Sequence, residues 1–205
     1  MTEPQRAALV NFQRFIDGTM PTGVAPAADP GAGVTLAQLR AVMPNLPLDK
    51  AQRYLPLLNQ AMAEQQINTP IRKAMFLAQL AHESSQLRTF DEVGRPDYSG
   101  KLGPGNANYY GRGPIQLTGK ANYAAAGKAL GIDLVGRPEL AATPEVGFRV
   151  AGWYWGDRKV KGRSLNSYAD QGDFRTVTLG INGGYTHYDR RLVLYERAKQ
   201  AFGVP

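Results

Sequence analysis

The sequence predicts a mainly α-helical protein. Apolar residues recur at helical spacing in segment after segment, two of those segments open on a capping residue followed by proline, and no run alternates as a strand would. Thr35 is placed to cap a helix carrying Leu36, Leu39 and Val42, ended before Pro44. A second helix is expected over 49–66, with Tyr54, Leu57, Leu58, Ala61 and Met62 on one face and Pro56 as a point of breaking or kinking. Thr69-Pro70 sets a capping hydroxyl before a proline at the first helical position, and this helix should run to about Leu87. From residue 89 to 117 the periodicity vanishes and glycines gather, at 94, 100, 103, 105, 111 and 113. A long irregular stretch in a compact domain is commonly functional, and a small β-hairpin, if present, is expected within it. Helical signals resume over 118–130. Thr143-Pro144-Glu145 opens a further helix through Trp155, Phe174, Val177 and Ile181 sit at helical spacing, and a last helix spans 189–202 with Gly203 just beyond it.

Residues 18–33, GTMPTGVAPAADPGAG, lack periodicity and read as a linker. Together with a short helix expected at 5–17 they make residues 1–33 an arm, leaving 34–205 as the main domain. The chain of 205 residues is long enough to bury a core without covalent staples. It has no cysteine, which excludes disulfides, thiol catalysis and Cys-ligated metal. The opening MTEPQRAALV has no apolar run behind a basic head, so no secretory signal is expected. Nor does any stretch reach the ~18 apolar residues that a membrane span requires. The net charge is +7, from 24 Lys+Arg against 17 Asp+Glu. Such a chain is drawn to polyanions, but its positives are scattered and no nucleic-acid reading motif accompanies them.

Phe76, Leu80, Glu83 and Leu87 fall at i, i+4, i+7 and i+11, which puts Glu83 on an apolar helical face. A carboxyl in apolar surroundings holds its proton more readily, because desolvation disfavours the charged form, and such a group suits general acid catalysis. The competing reading is a helix-end glutamate that reaches solvent or pairs with Arg88. His82-Glu83 also begins an HExxH zinc motif, but Gln86 occupies the second histidine's position and His187 is remote in sequence, so the ligand count fails. Two-carboxylate glycoside chemistry needs a second acid. Asp91, Glu92 and Asp97 follow on the loop, and Glu92 can face Glu83 across a cleft because the chain turns between them.

FLAQLAHESSQL, YYGRGPIQLTGKANY, LGINGGY and RRLVLYERA, in that order, resemble glycoside hydrolase family 19, which includes plant and bacterial chitinases and phage endolysins. The resemblance runs from about Val34 to the C-terminus and is nearest to the endolysin-type members. It implies a lysozyme-like helical fold and an inverting mechanism, with 34–205 as the catalytic domain. It further implies Glu83 as catalytic acid, Glu92 as the second acid and Thr118 as a holder of the attacking water. Tyr110, Gln116 and Asn182 match substrate-contacting positions, with Tyr109 and Tyr110 offering flat faces to sugar rings. Arg191, followed by Tyr195, matches an arginine that supports the acid network beside the substrate. Plant-type disulfides are impossible here, the loop between Glu92 and Tyr109 is short, and the carboxylate that often follows INGG gives way to Tyr185 and Thr186.

The resulting expectation is a monomeric endolysin-like muramidase that cuts β-1,4 bonds in the glycan strands of bacterial peptidoglycan, without cofactor or metal and without a nucleic-acid partner. It would be made in a bacterial cytoplasm and delivered to the wall by another factor, with electrostatic contact to the anionic envelope. A bacterial chitinase is the alternative within the same chemistry. A catalytically inactive cationic wall- or membrane-binding protein is the alternative of another class. In that last case the basic final helix, with Arg190, Arg191, Arg197 and Lys199 punctuating Leu192, Val193, Tyr195 and Ala198, would lie against a membrane.

Overall fold

The computed structural model describes residues 33–205, so the arm expected at 1–33 lies outside the described residues but for Gly33. Helix α1 (Leu36–Val42) opens on Thr35, whose side chain accepts from the Gln38 N–H while the Gln38 side chain accepts from the Thr35 N–H. This reciprocal cap satisfies two otherwise orphaned donors. Helix α2 (Leu48–Glu64) continues through Pro56. Pro56 is exposed, so the carbonyl it fails to satisfy lies on the solvent side. Its buried face is Ala51, Tyr54, Leu58, Ala61 and Met62, with Leu57 only partly covered.

Helix α3 (Pro70–Glu83) is the axle of the fold: every residue from Lys73 to Ala81 is buried. A helix apolar on nearly all sides must be surrounded by others. Helix α9 (Tyr188–Phe202) packs along it, and α2 packs against α6 (Pro144–Asp157). The Thr69 hydroxyl accepts from the Arg72 N–H, as its position before Pro70 predicts. Helix α3 stops short of Leu87. Ser85, Gln86 and Leu87 take positive φ values of 50°, 63° and 58°, and this left-handed turn returns Leu87 to the core without continuing the helix. The Ser84 hydroxyl donates to the Leu80 carbonyl at 2.6 Å and accepts from the Leu87 N–H at 2.9 Å, fastening the turn. Glu83 is thereby the last helical residue.

The loop that follows contains one short helix, α4 (Ser99–Leu102), and isolated bridges joining Asp91 to Arg112 and Arg112 to Leu117. The expected hairpin is elsewhere: β1 (Lys159–Val160) pairs antiparallel with β2 (Arg163–Ser164), after α6. Lys161 and Gly162 both have positive φ, the requirement of a tight two-residue hairpin turn. Helix α5 (Lys120–Leu130) precedes a 3-10 turn at Pro138–Ala142. Thr143 lies before Pro144 as expected but does not cap α6 through its side chain; its hydroxyl donates to the Leu140 carbonyl. Short helix α7 (Leu165–Ala169) and helix α8 (Phe174–Asn182), capped by Asp173, complete the set.

Helix α9 buries Arg191, Tyr195, Ala198 and Phe202 and leaves Val193 61% exposed. The apolar residues that suggested a membrane-lying face are therefore split, with the larger part already used by the core. No described helix is long and apolar enough to cross a membrane.

Candidate active site

The end of α3, the loop after it, the start of α5, α6 and the end of α8 enclose a cleft of about 450 Å³. Glu83 and Glu92 both line it, together with Gln116, Thr118 and Asn182. Five of the eight residues that the sequence offers for the site thus converge.

The two carboxylates are held differently. Glu83, with its side chain 18% exposed, receives the Arg191 guanidinium at 2.6 Å. Its setting is therefore an ion pair at the edge of the core, and neither a purely apolar wall nor a bridge to Arg88, whose Nε donates to the Ser85 carbonyl. Arg191 is 1% exposed and does not line the cleft, so its place is behind the acid, not against a sugar. Its Nη1 donates to Gln79 Oε1 at 2.5 Å and its Nε to the Thr186 carbonyl, while Gln79 Nε2 donates to the Thr178 hydroxyl at 2.9 Å. A guanidinium so fixed cannot rotate away from Glu83 without stranding buried polar groups.

Glu92 has only neutral partners. The Tyr98 hydroxyl donates to Oε1 at 2.9 Å and the Gly111 N–H to Oε2 at 2.7 Å, while the Glu92 N–H donates to the Gly111 carbonyl. Burial, and then the bond to Glu92, push the Tyr98 phenol up, so it remains a donor. A Cβ at Gly111 would meet Gln116 Oε1 at 2.7 Å and Glu92 Oε2 at 3.0 Å, which explains why glycine stands where backbone must approach both side chains. The Thr118 hydroxyl donates to the Gln116 carbonyl, leaving its oxygen able to accept. Gln116 donates to the Gly113 carbonyl and itself has φ +52°, so the loop holds it in a left-handed conformation.

The tyrosines depart from expectation. Tyr110 is 8% exposed, does not line the cleft, and lies beneath the Arg112 guanidinium at 3.7 Å from its ring centroid. Tyr109 is buried too, edge-on to Tyr123, with its hydroxyl on the Val135 carbonyl. Neither offers a ring to a sugar. Arg112 bonds the Asn108 carbonyl and the Tyr123 hydroxyl, and so acts as the internal fastener of the GRG turn.

Tyr98, Lys101 and Tyr154 also line the cleft and carried no signal in the sequence, whereas Asn122, which lines it too, falls within the YYGRGPIQLTGKANY motif without having been singled out. Gln79 was legible in part, since it lies one helical turn before Glu83 on the same face. His82 lines the cleft as well, and the fold brings His187 to 5.6 Å from it despite their separation in sequence. Burial, reinforced by Arg191, His187 and Arg190, lowers the His82 pKa to about 4. No group of three potential metal ligands occurs among the described residues.

A family model for class I chitinases matches residues 95–169. A bacterial family 19 chitinase of known structure superposes with a TM-score of 0.70 at 30% identity, covering 84% of this chain and 96% of that one. The chain belongs to glycoside hydrolase family 19. Chitinase C from Streptomyces griseus superposes equally well, with a TM-score of 0.70 at 26% identity over 88% of this chain and 79% of that one. An endochitinase of Arabidopsis thaliana is 38% identical over 130 residues, 60% of this chain and 43% of the plant protein. Chitinase 8 of Oryza sativa is 47% identical over 91 residues, 37% of this chain and 35% of its own length. The chain thus spans less than half the length of the curated plant relatives it matches. The mainly α, lysozyme-like architecture of this family 19 chain is the one its bacterial neighbours share.

Proposed function

We propose that the chain is an endo-acting, inverting hydrolase of β-1,4-linked N-acetylated amino-sugar strands, and that peptidoglycan glycan is its substrate. The observation that carries the chemistry is the pair of glutamates lining one cleft with unlike partners. Glu83, positioned by Arg191, acts in its protonated form and delivers that proton to the glycosidic oxygen as the bond to the anomeric carbon breaks, becoming the carboxylate that Arg191 pairs. Glu92, positioned by Tyr98 and Gly111, removes a proton from a water that attacks the opposite face of that carbon. Thr118 accepts a hydrogen bond from the same water. Gln116 and Asn182 bond hydroxyl and acetamido groups, for which neutral amides suit. Attack from the opposite face inverts the anomeric centre, and the two carboxyl groups of an inverting enzyme stand roughly 6.5–9.5 Å apart to admit water.

The net charge of +7 favours an anionic wall polymer over a neutral one. The second reading, chitin, is favoured by the relatives, which are named chitinases. Mass spectrometry of digested peptidoglycan and of chitin oligosaccharides, with NMR of the first-formed anomer, tests both. Muropeptides ending in a reducing sugar, formed with inversion, are expected. Turnover of chitin alone would move the substrate to the second reading, and retained configuration would overturn the mechanism. Glu83→Gln should lower kcat by about 10²–10⁴-fold in a folded protein.

A further inference from the structure

The charged lining of the cleft consists of Glu83, Glu92 and Lys101. Both acids are engaged, by Arg191 and by Tyr98 with Gly111. Lys101 is exposed on α4 and makes no ion pair with an acid among the described residues. Its ammonium lies 6.0 Å from the centroid of the Tyr98 ring, the same ring whose hydroxyl holds Glu92. Asp97, four residues earlier, accepts from the Ser99 N–H. A second groove, of about 500 Å³, adjoins the cleft by sharing Thr118 and Asn122 with it, and Leu102 and Lys120 line its wall. No acid lines that groove. Lys120 is exposed, lies 5.9 Å from the Tyr109 ring, and also makes no ion pair among the described residues. Two ammonium groups therefore stand in adjoining cavities that share Thr118 and Asn122.

We propose that Lys101 and Lys120 are specificity-determining residues that receive carboxylate groups borne by the glycan, so that an acidic amino-sugar strand is preferred to a neutral one. The inference rests on the hydrolase reading above and deepens it. Chitin carries no such groups, whereas peptidoglycan strands carry acidic stem peptides and, where the peptide has been removed, free lactyl carboxylates. Exposed ammonium–carboxylate contacts are individually weak, so each lysine contributes a modest preference and the two act together.

The test uses three substrates of similar length. These are peptide-free peptidoglycan strands with free lactyl carboxylates, the same strands with those carboxylates converted to neutral methylamides, and a chitin oligosaccharide. The wild-type chain should show higher kcat/KM on the free-acid strand than on the amidated one. Lys101→Ala and Lys120→Ala should each lower kcat/KM on the free-acid strand by about threefold to fivefold more than on the amidated strand. The double variant should abolish the preference, largely through KM, and Lys→Arg at both positions should restore it. Equal losses on the acid and amidated strands would mean that the lysines act through Glu92 or through the fold, and would overturn the proposal. No preference in the wild type, with turnover of any of the three, would overturn it while leaving the hydrolase reading intact. Turnover of none of the three by the folded wild type would overturn the hydrolase reading itself.

Discussion

Arg191 and Tyr98 hold the same kind of group, a carboxylate, by opposite means. Arg191 brings a full charge, buried and immobilised by Gln79 and Thr186, to Glu83. Removing it strands Gln79 and leaves Glu83 without its counter-charge. Arg191→Ala should therefore destabilise the fold by about 3 kcal/mol, read from a urea midpoint at unchanged m-value, as well as lower activity. Gln79→Leu tests the support behind it: the arginine stays but its orientation is freed, so kcat should fall while KM changes little. Tyr98 offers Glu92 one neutral hydrogen bond. Tyr98→Phe should lower kcat by about tenfold with little loss of stability, since only the hydroxyl is deleted and the ring remains. A variant as active as the wild type would show that the Gly111 N–H alone is enough to hold Glu92.

At the scale of elements, the end of α3 meets the start of α9, and the meeting has a pH signature. His82 lies beside Arg191 with His187 and Arg190 near, and burial with these charges lowers its pKa from an ordinary 6.5 to about 4. The unfolded chain then binds more protons between pH 6.5 and 4. The stability owed to a neutral His82 is full above pH 6.5 and is lost progressively as the pH falls through that window. His82→Gln should flatten the decline in thermal midpoint between pH 7 and pH 4.5; an unchanged slope would assign the decline to other groups. Where α2 crosses α6, Gly152 allows contact that a side chain would prevent: a Cβ there would meet the Ala61 carbonyl at 2.9 Å. Gly152→Val should cost about 1–3 kcal/mol through overpacking, seen as a lower unfolding midpoint.

At the scale of the whole molecule, the charge of +7 is spread over the chain and acts on a polymer more than on a short substrate. If peptidoglycan is the substrate, as proposed, lysis of purified wall should weaken as salt rises, because exposed charges are screened within ~8 Å at physiological ionic strength. Turnover of a short neutral oligosaccharide should hardly change. Equal salt sensitivity on both would remove net charge as what brings the chain to its polymer.

The sequence by itself determined most of the helices and pointed to Glu83 and Glu92 as the candidate pair of acids. Apolar spacing and caps at Thr35 and Thr69 are local signals, and local physics was enough to place α1, α2 and α3. Glu83 and Glu92 were legible because the acid follows an apolar stripe, the chain turns directly after it, and the neighbouring motifs resemble a known family. Several features waited for the tertiary structure because they depend on residues distant in sequence. The left-handed turn at Ser85–Leu87 ends α3 one turn early, since burying Leu87 and bonding Ser84 outweigh the conformational cost of positive φ. The tyrosines of the YYGRG stretch look like sugar platforms in sequence, but Arg112, Tyr123 and the Val135 carbonyl claim them for the interior. The hairpin fell at Lys161-Gly162 because two adjacent positive φ values close a two-residue turn there. His187 reached His82, and Arg191 reached Glu83, only because α9 packs along α3. Spacing along one helix assigns a residue to a face; which charge arrives opposite that face is decided by helix packing, and that is what pairs the cleft-lining Glu83 with the buried Arg191.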